Sequence, residues 1–236
     1  MDVAVLYSGG KDSTYAIEYC KSRNWNIKYL ISVKPNRVDC YLFHFATVEL
    51  TKELSKILGY KHFYLNCEVA DPEKEALIVK NLVEEQQNIE KVDALVLGGV
   101  GLQETQLKSL QKALMPLNVE VFASHAGLDH EELIKDMINK GYRILITQVA
   151  TDGGKKWLGR ELNKDSFEEF KKDSVKYGYH IGMEGGYMDT LVLDSPLSNK
   201  SLEITSSNKI FESEYNGYVK VNSYNILEKK TQVLIS

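Results

Sequence analysis

The six residues Ser8-Gly9-Gly10-Lys11-Asp12-Ser13 constrain this chain more than any other stretch. They follow the apolar run "DVAVLY" at 2–7 and precede an amphipathic stretch over 12–23, so they read as the turn between a strand and a helix. A parallel sheet takes its ligands outside the carboxyl ends of its strands, and this turn sits at such an end. Two glycines let backbone N–H groups approach an anion closely. The helix that follows presents unpaired N–H groups and the positive end of its dipole. Ser8 and Ser13 add hydroxyl donors and Lys11 adds a cation, a set that suits phosphate or pyrophosphate. Asp12 is the exception, because an anion repels it; it reads either as a helix cap or as a ligand for Mg2+ that neutralises phosphates.

The rest of the chain alternates two patterns. Apolar runs at 2–7, 27–33, 62–66, 94–98, 119–123 and 143–149 read as buried strands, and amphipathic stretches at 12–23, 47–58, 73–88, 102–114 and 129–140 read as helices. Such alternation predicts an α/β fold, with a mostly parallel sheet covered by helices on both faces. Asp71-Pro72-Glu73 predicts a helix start, with Asp71 as cap. After about residue 150 the pattern changes: a helix at 166–177, then strands at 190–197 and 218–227. Residues 1–150 thus read as a nucleotide domain and 151–236 as a smaller C-terminal α+β lobe, with the last residues, from Glu228 on, loosely ordered.

Composition narrows the partners. A net charge of -4 supplies no bulk positive field for nucleic acid. No apolar run is long enough to span a bilayer, and the start of the chain lacks the pattern of a secretory signal. Cys20, Cys40 and Cys67 stand far apart, which suits reduced thiols in a cytoplasmic protein and gives no CxxC pair for a metal cluster.

Neither G-x-x-x-x-G-K-[ST] nor G-x-G-x-x-G occurs; S-G-G-x-D-S does, directly after the first strand. This resembles the PP-loop of the N-type ATP pyrophosphatases. The resemblance extends through His44 in "YLFHF", "WLGR" at 157–160, "EGG" at 184–186 and "TLVLDSPL" at 190–197. In that order these segments resemble the diphthine–ammonia ligase (diphthamide synthase) family, and the match runs from residue 2 to about residue 220. The resemblance implies a Rossmann-like domain of the adenine nucleotide alpha hydrolase type. It implies ATP and Mg2+ as cofactors, ammonium as nitrogen donor and elongation factor 2 as protein substrate. The implied reaction amidates diphthine, a modified histidine, through an adenylated carboxylate. Adenylation suits the chemistry, because a carboxylate left as it is would have to expel oxide.

On this reading Ser8, Gly9, Gly10, Lys11, Asp12, Ser13 and His44 bind the nucleotide, with Asp12 a candidate Mg2+ ligand. Lys11, Asp12 and Glu184 carry catalysis, and Trp157, Arg160, Glu184, Gly185 and Gly186 meet the acceptor. Trp157 read alone is more often a core or lobe-interface residue, and for Glu184 an exposed turn carboxylate is the alternative to a role at the acceptor. The chain departs from the family's pattern at Leu102, Glu104-Thr105 and Lys108, at Ala126-Gly127 where the family often has Trp-Gly, and at Tyr187-Met188-Asp189. These departures keep two alternatives open: a PP-loop enzyme with another acceptor such as tRNA, and a nucleotide-binding module without catalysis. His62, His125, His130 and His180 show no metal spacing and receive no chemistry. A homodimer suits a fold of this size, but no segment specifies an interface.

Overall fold

The computed structural model describes residues 1–36, 47–99 and 104–229. Five strands form a parallel sheet: β1 (Asp2–Leu6), β2 (Asn26–Pro35), β3 (His62–Cys67), β4 (Ala94–Leu97) and β5 (Glu120–Ala123). Their spatial order is β3-β2-β1-β4-β5, so the order reverses between β1 and β4. That reversal opens a crevice beyond the carboxyl ends of β1 and β4. The chain's first turn lies there.

Residue alternation along β1 explains the two covered faces. Val3, Val5 and Tyr7 pack with Ala16, Ile17 and Cys20 of α1 (Lys11–Ser22) and with Leu54 of α2 (Thr51–Leu58). Ala4 points the other way, into a cluster with Val79 and Val83 of α3 (Pro72–Gln86) and Leu110 and Leu114 of α4 (Glu104–Leu114). All four residues of β4 are buried, as an interior strand between two parallel neighbours requires. The α3 start behaves as its sequence predicts: the Lys74 N–H donates to Asp71 Oδ1 at 2.9 Å.

The apolar run at 143–149 joins a different sheet. It forms β6 (Arg143–Ala150), which pairs antiparallel with β8 (Met188–Asp194) along one edge, and with β7 (Glu161–Leu162) and β10 (Asn216–Glu228) along the other. β9 (Lys200–Phe211) completes this antiparallel sheet beside β10. β9 is a strand that hydrophobic patterning does not reveal. Most of its residues beyond Leu202 are exposed, so the two-stranded ribbon with β10 carries no buried alternation to read. The helices α5 (His130–Asn139) and α6 (Lys164–Tyr177) pack Leu133, Met137, Phe167 and Phe170 against Ile144 and Ile146 of β6.

The two sheets share a core. Leu191 and Leu193 of β8 and Leu202 of β9 belong to the same apolar cluster as Val3, Val5 and Ile17. The packing brings β8 against the first turn, where the Val192 N–H donates to the Gly9 carbonyl at 2.9 Å. Among the described residues no helix is long and apolar enough to cross a membrane.

Candidate active site

A cavity opens at the reversal point of the parallel sheet. The first turn lines one side through Ser8, Gly10, Lys11, Asp12 and Ser13. The ends of β2 and β4 contribute Val33, Gly98 and Gly99, and α4 contributes Gln106. The opposite side is the late segment Met183, Glu184, Gly185 and Gly186, followed by Met188, Asp189 and Thr190 of β8. Two motifs more than 170 residues apart in sequence therefore face one another, with Thr190 Oγ1 accepting a 3.1 Å hydrogen bond from the Lys11 N–H.

The turn holds its shape by its own hydroxyls. The Ser8 N–H donates to Ser13 Oγ at 3.2 Å, and the Ser13 hydroxyl in turn donates to the Gly10 carbonyl at 3.1 Å. Gly9 takes φ +80°, a conformation that side chains other than glycine rarely adopt. Helix α1 begins at Lys11 with no side-chain cap. The Lys11 N–H is taken by the Thr190 hydroxyl from across the cavity, and the positive end of the α1 dipole lies beside the cavity, a setting that favours phosphate oxygens.

Asp12 does not cap its helix. Its Oδ2 lies 2.6 Å from Lys11 Nζ, and the Lys11 side chain is nearly fully buried. Its buried Oδ1 has no hydrogen-bond partner among the described residues and stands 3.3 Å from His125 Nδ1. Desolvation pushes the Asp12 carboxyl up, but the Lys11 ammonium and then His125 outweigh it, and the net direction is down. Asp12 is therefore an anion with one oxygen committed to Lys11 and the other available. A hard cation between phosphate oxygens takes such an oxygen, so the donor chemistry fits Mg2+. Lys11, read from the sequence as a cation for pyrophosphate, also pairs with Asp12.

Glu184 is buried, not an exposed turn carboxylate. Its Oε1 lies 3.4 Å from His130 Nδ1. The glycine pair after β4 makes room for both acidic groups. A Cβ on Gly98 would stand 2.8 Å from the Asp12 carbonyl carbon and the Ser13 backbone nitrogen, and one on Gly99 2.3 Å from Glu184 Oε1.

Three histidines without a sequence signal gather here. His125 follows β5, at the same carboxyl end of the sheet as the first turn, His130 opens α5, and His180 precedes the Glu184 segment. Ring centroids of His130 and His180 are 4.9 Å apart, and those of His125 and His130 6.4 Å. Burial pushes His125 down to about 4, which keeps it neutral near pH 7. Spacing did not single them out, because three separate segments supply them.

Trp157 and Arg160 do not line the cavity. Trp157 is fully buried in the core of the second lobe, with its Nε1–H donating to Asp173 Oδ2 at 2.9 Å and its ring edge-to-face on Phe170. Arg160 stacks over that indole, 4.1 Å from the ring centroid, and its guanidinium donates to Glu169 at 2.9 Å. An indole N–H satisfied by a buried carboxylate is the mark of a packing residue. His44 lies outside the described residues, as does Leu102.

Two family models cover nearly the whole chain. The model described as the diphthamide synthase N-terminal domain matches residues 1–125, and the one described as the diphthamide synthase C-terminal domain matches residues 129–227. The chain is 28% identical over 238 residues to a diphthine–ammonia ligase of Homo sapiens, spanning 90% of this chain and 86% of that protein. It is 29% identical over 238 residues to the Mus musculus protein of the same name, with the same coverage of both chains. A diphthine–ammonia ligase of Schizosaccharomyces pombe is 24% identical over 232 residues, which span 90% of this chain and 38% of that protein.

Proposed function

The chain belongs to the diphthamide synthase family, and from that membership we propose that it amidates diphthine on elongation factor 2, using ATP and ammonium. The diphthine carboxylate attacks the α-phosphorus of ATP, the bond to pyrophosphate breaks, and an acyl-adenylate forms. Ammonia then attacks the acyl carbon, AMP leaves with the carboxylate's former oxygen, and one proton is released. The observation that carries this reading is the facing of Lys11–Ser13 by Glu184–Thr190 across one cavity.

The residues divide the work. The loop from Ser8 to Ser13 receives the phosphates at the N-terminal end of α1, and Asp12 would supply an oxygen to Mg2+, which would neutralise phosphate charge. Lys11 keeps Asp12 in place and offsets its charge as pyrophosphate departs. Glu184, across the cavity, orients the acceptor and, with the glycines beside it, shapes its berth. In this account the lobe of the parallel sheet carries the nucleotide, and the lobe of the antiparallel sheet, which includes β6, carries the acceptor. Cys20 and Cys67 are buried and in no disulfide, which fits a reducing compartment, the cytoplasm.

The test supplies purified protein with ATP, Mg2+, ammonium and elongation factor 2 bearing diphthine. Amide and AMP formed in equal amounts support the proposal. Bound ATP with neither product contradicts it and points to another acceptor or to a nucleotide-binding module.

A further inference from the structure

The amidation reading leaves His125 and His130 without a task. His125 has a fully buried side chain, and neither ring nitrogen has a hydrogen-bond partner among the described residues. A buried imidazole with both nitrogens unpartnered is costly, and such groups are normally satisfied by a protein group, water or an ion. Around it stand the imidazole of His130, the carboxylates of Asp12 and Glu184, the Tyr15 ring at 5.0 Å between centroids, and the Lys11 ammonium, which is paired with Asp12.

We propose that His125, His130 and Glu184 form a binding site for one divalent transition-metal ion of the zinc class, separate from the Mg2+ that accompanies ATP. Each of the three offers a ligand atom, and these atoms all lie within 4.8 Å of one another. In a tetrahedral site with bonds of about 2.0–2.1 Å, ligand atoms stand about 3.4 Å apart. His130 Nδ1 and Glu184 Oε1 already stand at 3.4 Å. The His125 ligand nitrogen, within 4.8 Å of both, has to close in for the third bond. Two imidazoles and one carboxylate select zinc, cobalt or nickel over magnesium, which takes oxygen donors. Three protein ligands leave a fourth position open, as zinc sites that admit water or substrate do. Of the three ligands, Glu184 also lines the cavity.

The placement follows from the fold. His125 sits just past the carboxyl end of β5, His130 is the first residue of α5, and Glu184 lies in the segment that β8 folds back over the first turn. Only the packing of the second sheet against the first brings the three together. At the matching place the family pattern has Trp-Gly, where this chain has Ala126-Gly127 between the two histidines. The site is therefore tied to the part of this sequence that departs from the family.

The proposal does not rest on amidation, although it shares Glu184 with that reading. The experiment strips the full-length protein with a chelator, then titrates Co2+ without nucleotide and with Mg2+ in excess. Visible d–d absorption reports the coordination, and thermal unfolding with and without Zn2+ gives a second readout. The expected result is one saturable equivalent of Co2+ with tetrahedral-type absorption, and a Zn2+-dependent rise in the unfolding midpoint. His130→Ala and His125→Leu are expected to weaken binding at least about 100-fold and to abolish the Zn2+-dependent rise. His130 is partly exposed, so His130→Ala keeps the test informative if the buried His125→Leu variant does not fold. Absence of a saturable equivalent, or unchanged affinity in a folded His130→Ala, overturns the proposal. Because ATP is absent throughout, neither outcome bears on whether the protein is a ligase.

Discussion

Gly99 lacks a side chain at the point where a Cβ would stand 2.3 Å from Glu184 Oε1. The turn after β4 and the late Glu184 segment therefore approach each other as closely as a glycine permits, and the cavity's acidic wall depends on it. Gly99→Ala forces the carboxylate aside. Since Glu184 is buried, it has little room to move. The expected outcome is a loss of about 1–3 kcal/mol in stability from the overpacking. Amidation falls further than that stability loss explains. Urea unfolding and initial rates, measured on the same preparation, check this. Full activity would show that Glu184 does not meet the acceptor.

Lys11 and Asp12 act as a pair at 2.6 Å, so removing either changes the other's charge environment. Lys11→Ala and Asp12→Asn are each expected to lower AMP release about 10²–10³-fold, the loss typical of a displaced electrostatic donor. Quenched-flow or steady-state assays of AMP decide it. Unchanged turnover would place the chemistry away from this turn.

Trp157→Phe is expected to cost about 1–3 kcal/mol, because it removes the N–H that satisfies buried Asp173. It should leave ATP affinity unchanged, since Trp157 does not line the cavity. Chemical denaturation and a nucleotide-binding titration check the two halves separately. A large fall in ATP affinity at unchanged stability would contradict the packing role.

His62 sets a pH dependence far from the chemistry. Its Nε2 lies 2.8 Å from Ser32 Oγ, whose hydroxyl donates to the Tyr7 carbonyl, so the ring nitrogen is the donor in that pair. Burial first, and then Lys52, push the His62 pKa down to about 4. An unfolded histidine titrates near about 6.5. Between those values the unfolded chain takes a proton that the folded chain refuses. The His62 contribution is therefore fully present above about 6.5 and lost as pH falls toward about 4. His62→Gln should flatten the stability profile over that window, as read by urea midpoints at several pH values. An identical slope in the variant would contradict the assignment.

Much of this was legible in the sequence because local chemistry and tertiary structure agree. The strand, glycine turn and helix at 2–22 each carry their own signal, as does the Asp71 cap. β6 was not assignable to its sheet, because a buried apolar run looks the same in a parallel or an antiparallel setting. β9 was silent because an exposed ribbon needs no apolar face. Trp157 sits in a family-like motif, yet its place is decided by Asp173, sixteen residues away and invisible as a partner until α6 folds. The histidine cluster is the largest omission, since its members come from the β5 end, the α5 start and the loop before β8. No spacing rule links residues that only the packing of two sheets brings together.

The central claim is that the acceptor carboxylate is adenylated in the cavity between Lys11–Ser13 and Glu184–Thr190. Isotope transfer tests it most directly. Diphthine on elongation factor 2 is prepared with 18O in its carboxylate and turned over with unlabelled ATP and ammonium, and the released AMP is analysed by mass spectrometry. The account predicts one 18O in the AMP for every amide formed. Amide formed with unlabelled AMP, or with ADP and labelled phosphate, would contradict it.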